Sequence, residues 1–261
     1  MSVEPADVFE EIGQAACGEP QKGGILIIAD HASAHVPADI DLGISPDILT
    51  RHVAVDIGVA PLAAALCARL GCAAILAGVS RLVCDLNREE DAPGLVPEAS
   101  DGIAIPGNRL DGAGREARIA RFFGPYHGAV AAAIGRGEPA LLISLHSFTP
   151  RLESRPDEAR PWQIGILYNQ DERAPRVAIP LLEQAGVPTG DNQPYSGRIL
   201  NATMNHHGEA AGIPYLGIEV RQDLIGDADG VAAWADRLAP IIGATWDRLV
   251  IEAHDAPRRL A

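Results

Sequence analysis

Short apolar runs alternate along the chain with longer stretches in which apolar residues recur every three or four positions. Residues 24–29 form the first apolar run, and it turns polar at once into Asp30, His31, Ser33 and His35. Similar runs occupy 73–79, 81–86, 140–145, 163–168 and 215–220; their lengths and flanking Gly or Pro predict strands. Between them, residues 56–70 are rich in Ala and Leu and stop before Gly71, which predicts a helix with a glycine C-cap and with Pro61 in its first turn or kinking it. Residues 114–136, interrupted near Gly124-Pro125, and 173–185 predict two more. The spacing of Trp234, Leu238, Ile241, Ile242, Trp246 and Leu249 predicts a long amphipathic helix over 230–253, whose apolar face serves a core or an interface between copies.

Strands alternating with helices predict an α/β fold: one domain over residues 1–261, with a mostly parallel or mixed central sheet flanked by helices. No internal repeat interrupts it. Two stretches are long for connections without regular structure: 86–113, rich in Gly, Pro, Asp and Asn, and 148–162, with Pro150, Pro156 and Pro161. Such loops often carry function. In open α/β sheets, ligands collect beyond the carboxyl ends of strands. There the sequence puts Asp30 and His31, Asn87 and Arg88, His146 and Ser147, and Glu219 with Arg221.

Composition narrows the partners. Hydrophobic residues are 47% and charged residues 21% of the 261, enough for a packed core. A net charge of −14 argues against nucleic acid and against anionic membrane surfaces, because both require clustered Lys and Arg. An anionic small molecule stays admissible where a local Arg or a metal reverses the field in one cleft. The acidic N-terminal MSVEPADVFEEIG lacks the apolar stretch of a signal peptide, and no apolar run reaches the length of a membrane span. Cys17, Cys67, Cys72 and Cys84 form no Cys-x-x-Cys pair; they read as small buried thiols in a reducing, cytoplasmic setting.

His31 and His146 each follow an apolar strand, and two such imidazoles at neighbouring strand ends point to a metal. A catalytic zinc site needs three protein ligands and an open position. Asp56, at the start of a helix, is the preferred third ligand; His35 and Asp30 are the alternatives, and Asp56 as a helix cap is the plain structural reading. Glu219, inside an apolar strand, is a costly place for a carboxylate unless paired or functional, and next to a metal it would serve as general base. Its structural reading is an ion pair with Arg221. Arg88 is suited to a substrate carboxylate. Arg81 is a candidate for oxyanion stabilisation, and Tyr195 and His206, in turn-rich segments, for contact with substrate. A serine nucleophile at Ser33 or Ser147 competes, though neither lies in Gly-x-Ser-x-Gly. Cys84 reads as an inert buried thiol.

Six stretches together resemble the N-formylglutamate amidohydrolase family: His31-Ala-Ser33 with Pro37, Arg51-His-Val-Ala-Val-Asp-Ile-Gly58, Ser80-Arg-Leu-Val-Cys-Asp-Leu-Asn-Arg88, Ser144-Leu-His-Ser147, Asn192-Gln-Pro-Tyr-Ser-Gly197 and Gly217-Ile-Glu-Val220. The resemblance spans roughly residues 25 to 225. It implies a zinc hydrolase on the phosphorylase/hydrolase-like α/β fold, related to carboxypeptidase A and aspartoacylase. It places His31 and His146 on zinc, Glu219 as the residue activating water, and Asn87 and Arg88 on a substrate carboxylate. The relatives' first ligand pair is His-x-x-Glu; here Ala34 stands at the Glu position, so the carboxylate ligand falls to Asp56. The expected reaction is hydrolysis of an N-acyl amino acid such as N-formylglutamate, with metal-bound water as nucleophile. A metal-independent serine hydrolase and a non-catalytic binder of acyl amino acids are the rival expectations.

Overall fold

The computed structural model describes residues 9–12 and 21–255. The acidic stretch ahead of residue 9 and Cys17 lie outside the described residues. In chain order the elements are β1 (Phe9–Ile12), β2 (Ile25–Ala29), α1 (Val59–Leu70), β3 (Ala73–Ala77), β4 (Ala99–Ser100), β5 (Ile103–Ala104), α2 (Gly112–Arg118), α3 (Gly124–Gly137), β6 (Leu141–Phe148), β7 (Ile164–Leu167), α4 (Pro175–Gln184), β8 (Thr189–Asp191), α5 (Ala202–Met204), β9 (Tyr215–Arg221) and α6 (Ala228–Asp255). Seven strands form one mixed sheet in the order β1-β3-β2-β6-β9-β7-β8, and β4 and β5 form a separate small hairpin. The centre of the sheet is parallel through β3, β2, β6 and β9, whereas β1 pairs antiparallel with β3, and β7 antiparallel with β9.

Each face of the sheet has its own core, sorted by the two-residue period of a strand. Ile25, Ile27, Leu141, Ile143, Leu145, Leu216 and Ile218 pack on one side with Leu62 and Leu66 of α1, Leu182 of α4, and Trp234, Leu238 and Ile242 of α6. The apolar face of α6 is therefore core. Leu26, Ile28, Leu142 and Tyr215 face the other way, towards Phe122, Tyr126 and Val130. On that second face the apolar pattern stops half-way along the central strands. After Leu142 comes Ser144 and then His146 on β6; after Tyr215 comes Gly217 and then Glu219 on β9. The carboxyl ends of the strands thus open a polar hollow in an otherwise apolar layer.

Residues 81–86, expected as a strand, form a buried turn instead. Ser80 organises it: its hydroxyl accepts from Leu82 N at 3.2 Å and donates to Ala54 O at 2.7 Å, while its carbonyl accepts from Val83 N at 2.8 Å. A short apolar run has the same length whether it is a buried strand or a buried turn, and here the serine's local bonds favour the turn. The break expected near Gly124-Pro125 is a widened π turn over Ile119–Phe123, just ahead of a proline that has no N–H to offer the helical ladder. Strands β1, β4, β5 and β8 are too short to carry a periodic signal and were not expected. Three of the cysteines, Cys67, Cys72 and Cys84, are buried free thiols. Among the described residues no helix is long and apolar enough to cross a membrane.

Candidate active site

The hollow is a cavity of about 170 Å³. His31, Asp56, Arg81, Asn87, Arg88, Tyr195, His146 and Glu219, all singled out in the sequence, line it. His31 follows β2 directly, Asp56 precedes α1, and His146 and Glu219 sit directly opposite one another in the β6–β9 ladder. The His31 and His146 ring centroids are 4.9 Å apart. One ligand atom from each of His31, Asp56 and His146 falls within 4.8 Å of the other two, and all three residues are buried.

Hydrogen bonds orient both rings. His31 Nε2 lies 2.8 Å from Asp85 Oδ1, and its Nδ1, 3.5 Å from Asp56 Oδ2, has no hydrogen-bond partner. His146 Nδ1 lies 2.8 Å from the same Asp56 oxygen. Its Nε2 lies 3.1 Å from Ser144 Oγ and 3.4 Å from Asp30 Oδ2. Asp30 is fully buried; Tyr126 OH donates to its Oδ1 at 2.8 Å, while Oδ2 is otherwise unpartnered. His146 Nδ1 donates to the ionised Asp56; were an ion held there, a proton kept on each Nε2 by its carboxylate neighbour would free the two Nδ1 lone pairs for it. Metal-ligating histidines are held in this way, the second nitrogen donating to a carboxylate.

The charge balance points the same way. Asp56, Asp85 and Asp30 are buried, which raises their pKa values, but neighbouring cations and hydrogen bonds outweigh burial and hold all three below the usual carboxylate range. Burial opposes protonation of both imidazoles, with Arg81 adding to this at His31; Asp30 and Asp56 raise His146 well above its ordinary value, and Asp85 and Asp56 raise His31. Arg81 is the central compensating cation, Nη1 on Asp56 and Nη2 on Asp85, both at 3.1 Å. A site that draws protons onto two buried imidazoles is a site short of positive charge, and a divalent ion on two histidines and one carboxylate fits it.

Glu219 carries the opposite shift. Burial, aided by Asp56 and opposed by His146 and Arg81, pushes its carboxyl up to about 7. Its Oε2 has no hydrogen-bond partner. The expected ion pair with Arg221 does not form; Arg221 pairs with Asp223 at 2.8 Å. Arg88 sits at the rim, 38% exposed, with Nε 3.5 Å from Asp85. Asn87 accepts from Thr203 N at 3.0 Å and turns its amide towards His146 Nε2 at 3.5 Å.

Other expectations fare differently: His206 and His35 do not line the cavity, whereas Arg81 and Ser147 do. His206 is exposed and packs on His207, with ring centroids 4.7 Å apart, because the segment is a π-helical turn at Asn205–Glu209 and not a loop over the site. His35 is exposed and contributes its carbonyl, which accepts from Ser80 N. At Arg81, Asp56 and Asp85 each take one N–H of its terminal nitrogens, and the second N–H of each is left over. The hydroxyls of Ser33 and Ser147 donate to the carbonyls of Gly78 and Ile57; Ser33 Oγ also accepts from the His35 backbone N–H, and neither hydroxyl is hydrogen-bonded to an imidazole ring. Asp85, Ser144, His52 and Arg160 were not singled out. Asp85 sat inside a run read as a strand, and Ser144 was masked by its apolar neighbours.

The family model for N-formylglutamate amidohydrolase matches residues 23–226. A gene product of Agrobacterium tumefaciens of known structure is 30% identical, with 94% of this chain and 97% of that one covered and a TM-score of 0.85. An N-formylglutamate amidohydrolase from Ralstonia eutropha shares the fold, with a TM-score of 0.74, 20% identity, and 94% and 99% of the two chains covered. No curated protein matches the sequence. The match over most of the chain, on a sheet with the expected residues at its carboxyl edge, shows that the chain belongs to the N-formylglutamate amidohydrolase family.

Proposed function

We propose that this protein is a zinc-dependent amidohydrolase that cleaves small N-acyl amino acids, with N-formylglutamate as the leading substrate and formate and glutamate as products. The observation that carries the reading is the meeting of His31 Nδ1, His146 Nδ1 and Asp56 Oδ2 beside a Glu219 held near neutrality. Those three residues would hold the ion, which when bound supplies Lewis acidity and an acidified water. Glu219 accepts a proton from water as the water oxygen bonds to the carbonyl carbon. It returns that proton to the amine nitrogen as the C–N bond breaks. A carboxyl with a pKa of about 7 suits both halves of that transfer at neutral pH. Arg88, assisted by Asn87, takes the free carboxylate of the substrate, so one cationic rim group admits an anion to a protein of net charge −14. A cavity of about 170 Å³ falls below the roughly 300–1,000 Å³ of pockets for drug-sized ligands, which favours an acyl amino acid over a peptide.

A second reading has one specific observation behind it. Ser144 Oγ, His146 Nε2, His146 Nδ1 and Asp56 Oδ2 stand in the order of a serine-histidine-aspartate triad, at 3.1 and 2.8 Å. Asp30 beside Nε2 argues against it, because a triad needs that nitrogen free to accept from serine.

Turnover of a panel of N-acyl amino acids, with zinc and with chelator, separates the two. Metal dependence, about one zinc per chain, and a loss of 10²-fold or more in kcat for Glu219→Gln with zinc retained are expected. Chelator-resistant turnover abolished by Ser144→Ala would replace the first reading with the second.

A further inference from the structure

We propose that Tyr195 is the hydrogen-bond donor to the carbonyl oxygen under attack, and that the buried Arg160 behind it is the positioning residue that leaves the hydroxyl proton free for that task. This rests on the amidohydrolase reading above and adds a neutral donor to the oxyanion role expected of Arg81.

Donor and acceptor chemistry leaves one arrangement. Arg160 Nη1 lies 3.0 Å from the Tyr195 hydroxyl. A guanidinium has only donors, so the tyrosine oxygen accepts and its own proton must point elsewhere. Among the described residues no acceptor stands within hydrogen-bond distance of that proton. Tyr195 lines the same cavity as Glu219, and Glu219 is the first charged group acting on the phenol after burial itself. The O–H has two open directions, the cavity with Glu219 and a neighbouring hollow lined by His52 and Asp101; it is assigned to the first, which receives the substrate.

The support behind the tyrosine is built and buried. The Arg160 side chain is 0% exposed. It donates to Thr149 O at 3.2 Å, pairs with Glu158 at 3.1 Å, and sets its guanidinium 5.0 Å from the centre of the Tyr195 ring. Its Nε finds no partner. A buried guanidinium with an unmet donor is costly where only anchoring is needed. Against the phenol, its charge polarises the O–H towards any developing negative charge in front of it. The backbone fixes the tyrosine as well. On β7, Gly165 lies opposite Glu219, and a Cβ there would stand 2.3 Å from Gln193 O; at Gly190 the same oxygen would be 2.4 Å away. The Gln193-Pro194 turn thus fills the space of two absent side chains, which brings Tyr195 to the face of the sheet that carries the base. When the carbonyl carbon turns tetrahedral, the π pair moves onto oxygen, and a fixed O–H donor strengthens as that charge grows.

The test is steady-state kinetics on N-formylglutamate with zinc-loaded wild type, Tyr195→Phe, Arg160→Met, Arg160→Lys and the Tyr195→Phe/Arg160→Met double variant, together with zinc content and calorimetric binding of glutamate. Tyr195→Phe is expected to lower kcat by about 10²–10³-fold, the usual effect of removing one oxyanion donor. KM should stay within about twofold, and glutamate, which has no amide carbonyl, should bind both proteins equally. Arg160→Met should lower kcat by at least tenfold alone and have no further effect once Tyr195 is Phe, because it acts through the phenol. Arg160→Lys keeps the charge in the core, should fold where the Met variant fails to, and should fall between wild type and Arg160→Met. A Tyr195→Phe enzyme with raised KM and intact kcat would make Tyr195 a ground-state binding group and overturn the inference. Multiplying effects in the double variant, or equal loss of glutamate binding, would reduce Arg160 to a structural role. If wild type hydrolyses no N-acyl amino acid, with or without zinc, the amidohydrolase reading itself falls and takes this inference with it.

Discussion

At the scale of single residues, Asp85 ties the candidate site together. One of its oxygens accepts from His31 Nε2 and from the Asn87 backbone N–H, at 2.8 and 3.2 Å, and the other accepts from Arg81 at 3.1 Å. It orients the His31 ring, favours a proton on its Nε2, and anchors the cation that neutralises Asp56. Replacing it with Asn keeps the shape and removes the charge. Asp85→Asn is expected to weaken zinc binding by about 10–100-fold, the usual cost of losing such an outer partner, as measured by competition with a chromogenic chelator. Wild-type affinity in the variant would mean that the ring holds its orientation without the carboxylate. Asp39 on the surface also accepts from an arginine, Arg121, yet carries no such role, because solvent rather than a ligand faces it.

At the scale of elements, glycines decide where loops meet the sheet. Gly165→Ala would drive a methyl group into a backbone oxygen at 2.3 Å and displace the turn that carries Tyr195. A cost of about 1–3 kcal/mol in denaturant unfolding is expected from such overpacking, with a fall in kcat beyond that of the folded fraction. Gly128, exposed on α3 with nothing within 4 Å of its missing Cβ, is the control: Gly128→Ala should be neutral or stabilising by up to about 1 kcal/mol. The sequence made the long elements legible for plain reasons. Strands β2, β6 and β9 are buried on both faces and read as continuous apolar runs, and α6 is long enough for its period to show. His31, His146 and Glu219 could be singled out because they break those runs at the carboxyl edge. Asp56 needed a guess, because nothing local says that its carboxylate reaches across to a ring ninety residues on. Asp85 and Arg160 were invisible for a related reason. Each acts through a partner brought near by a buried turn or a long loop, and neither type of segment leaves a periodic trace.

At the scale of the whole molecule, one buried pair sets a stability dependence on acid that is separate from the catalytic groups. His127 Nε2 donates to Leu86 O at 3.0 Å, so its Nδ1 must accept from His207 Nε2 at 2.9 Å. This bond joins α3 to the turn after α5 and requires the accepting His127 ring to be neutral. Burial holds both below the ordinary histidine value, His207 at about 4. A group whose folded pKa lies below its unfolded value contributes fully above about 6.5, and its contribution falls away as the unfolded chain takes up the proton, down to pH about 4. His207 therefore contributes a stability that is lost across that window as the pH falls. Urea unfolding of wild type against His207→Gln at pH 7, 5.5 and 4.5 checks this: the wild type should lose its advantage as pH falls. An advantage that grows towards acid would reverse the assignment of the proton.

The direct pairing of His146 with Glu219 across neighbouring parallel strands has a further consequence. The backbone spacing between the proposed proton carrier and one of the proposed ligands is written into the hydrogen-bond lattice of the sheet. Slippage by one residue would turn the glutamate to the α6 side of the sheet and silence the centre outright. Substrate preference can thus be altered in the loop that carries Arg88 without disturbing the backbone register that sets His146 against Glu219.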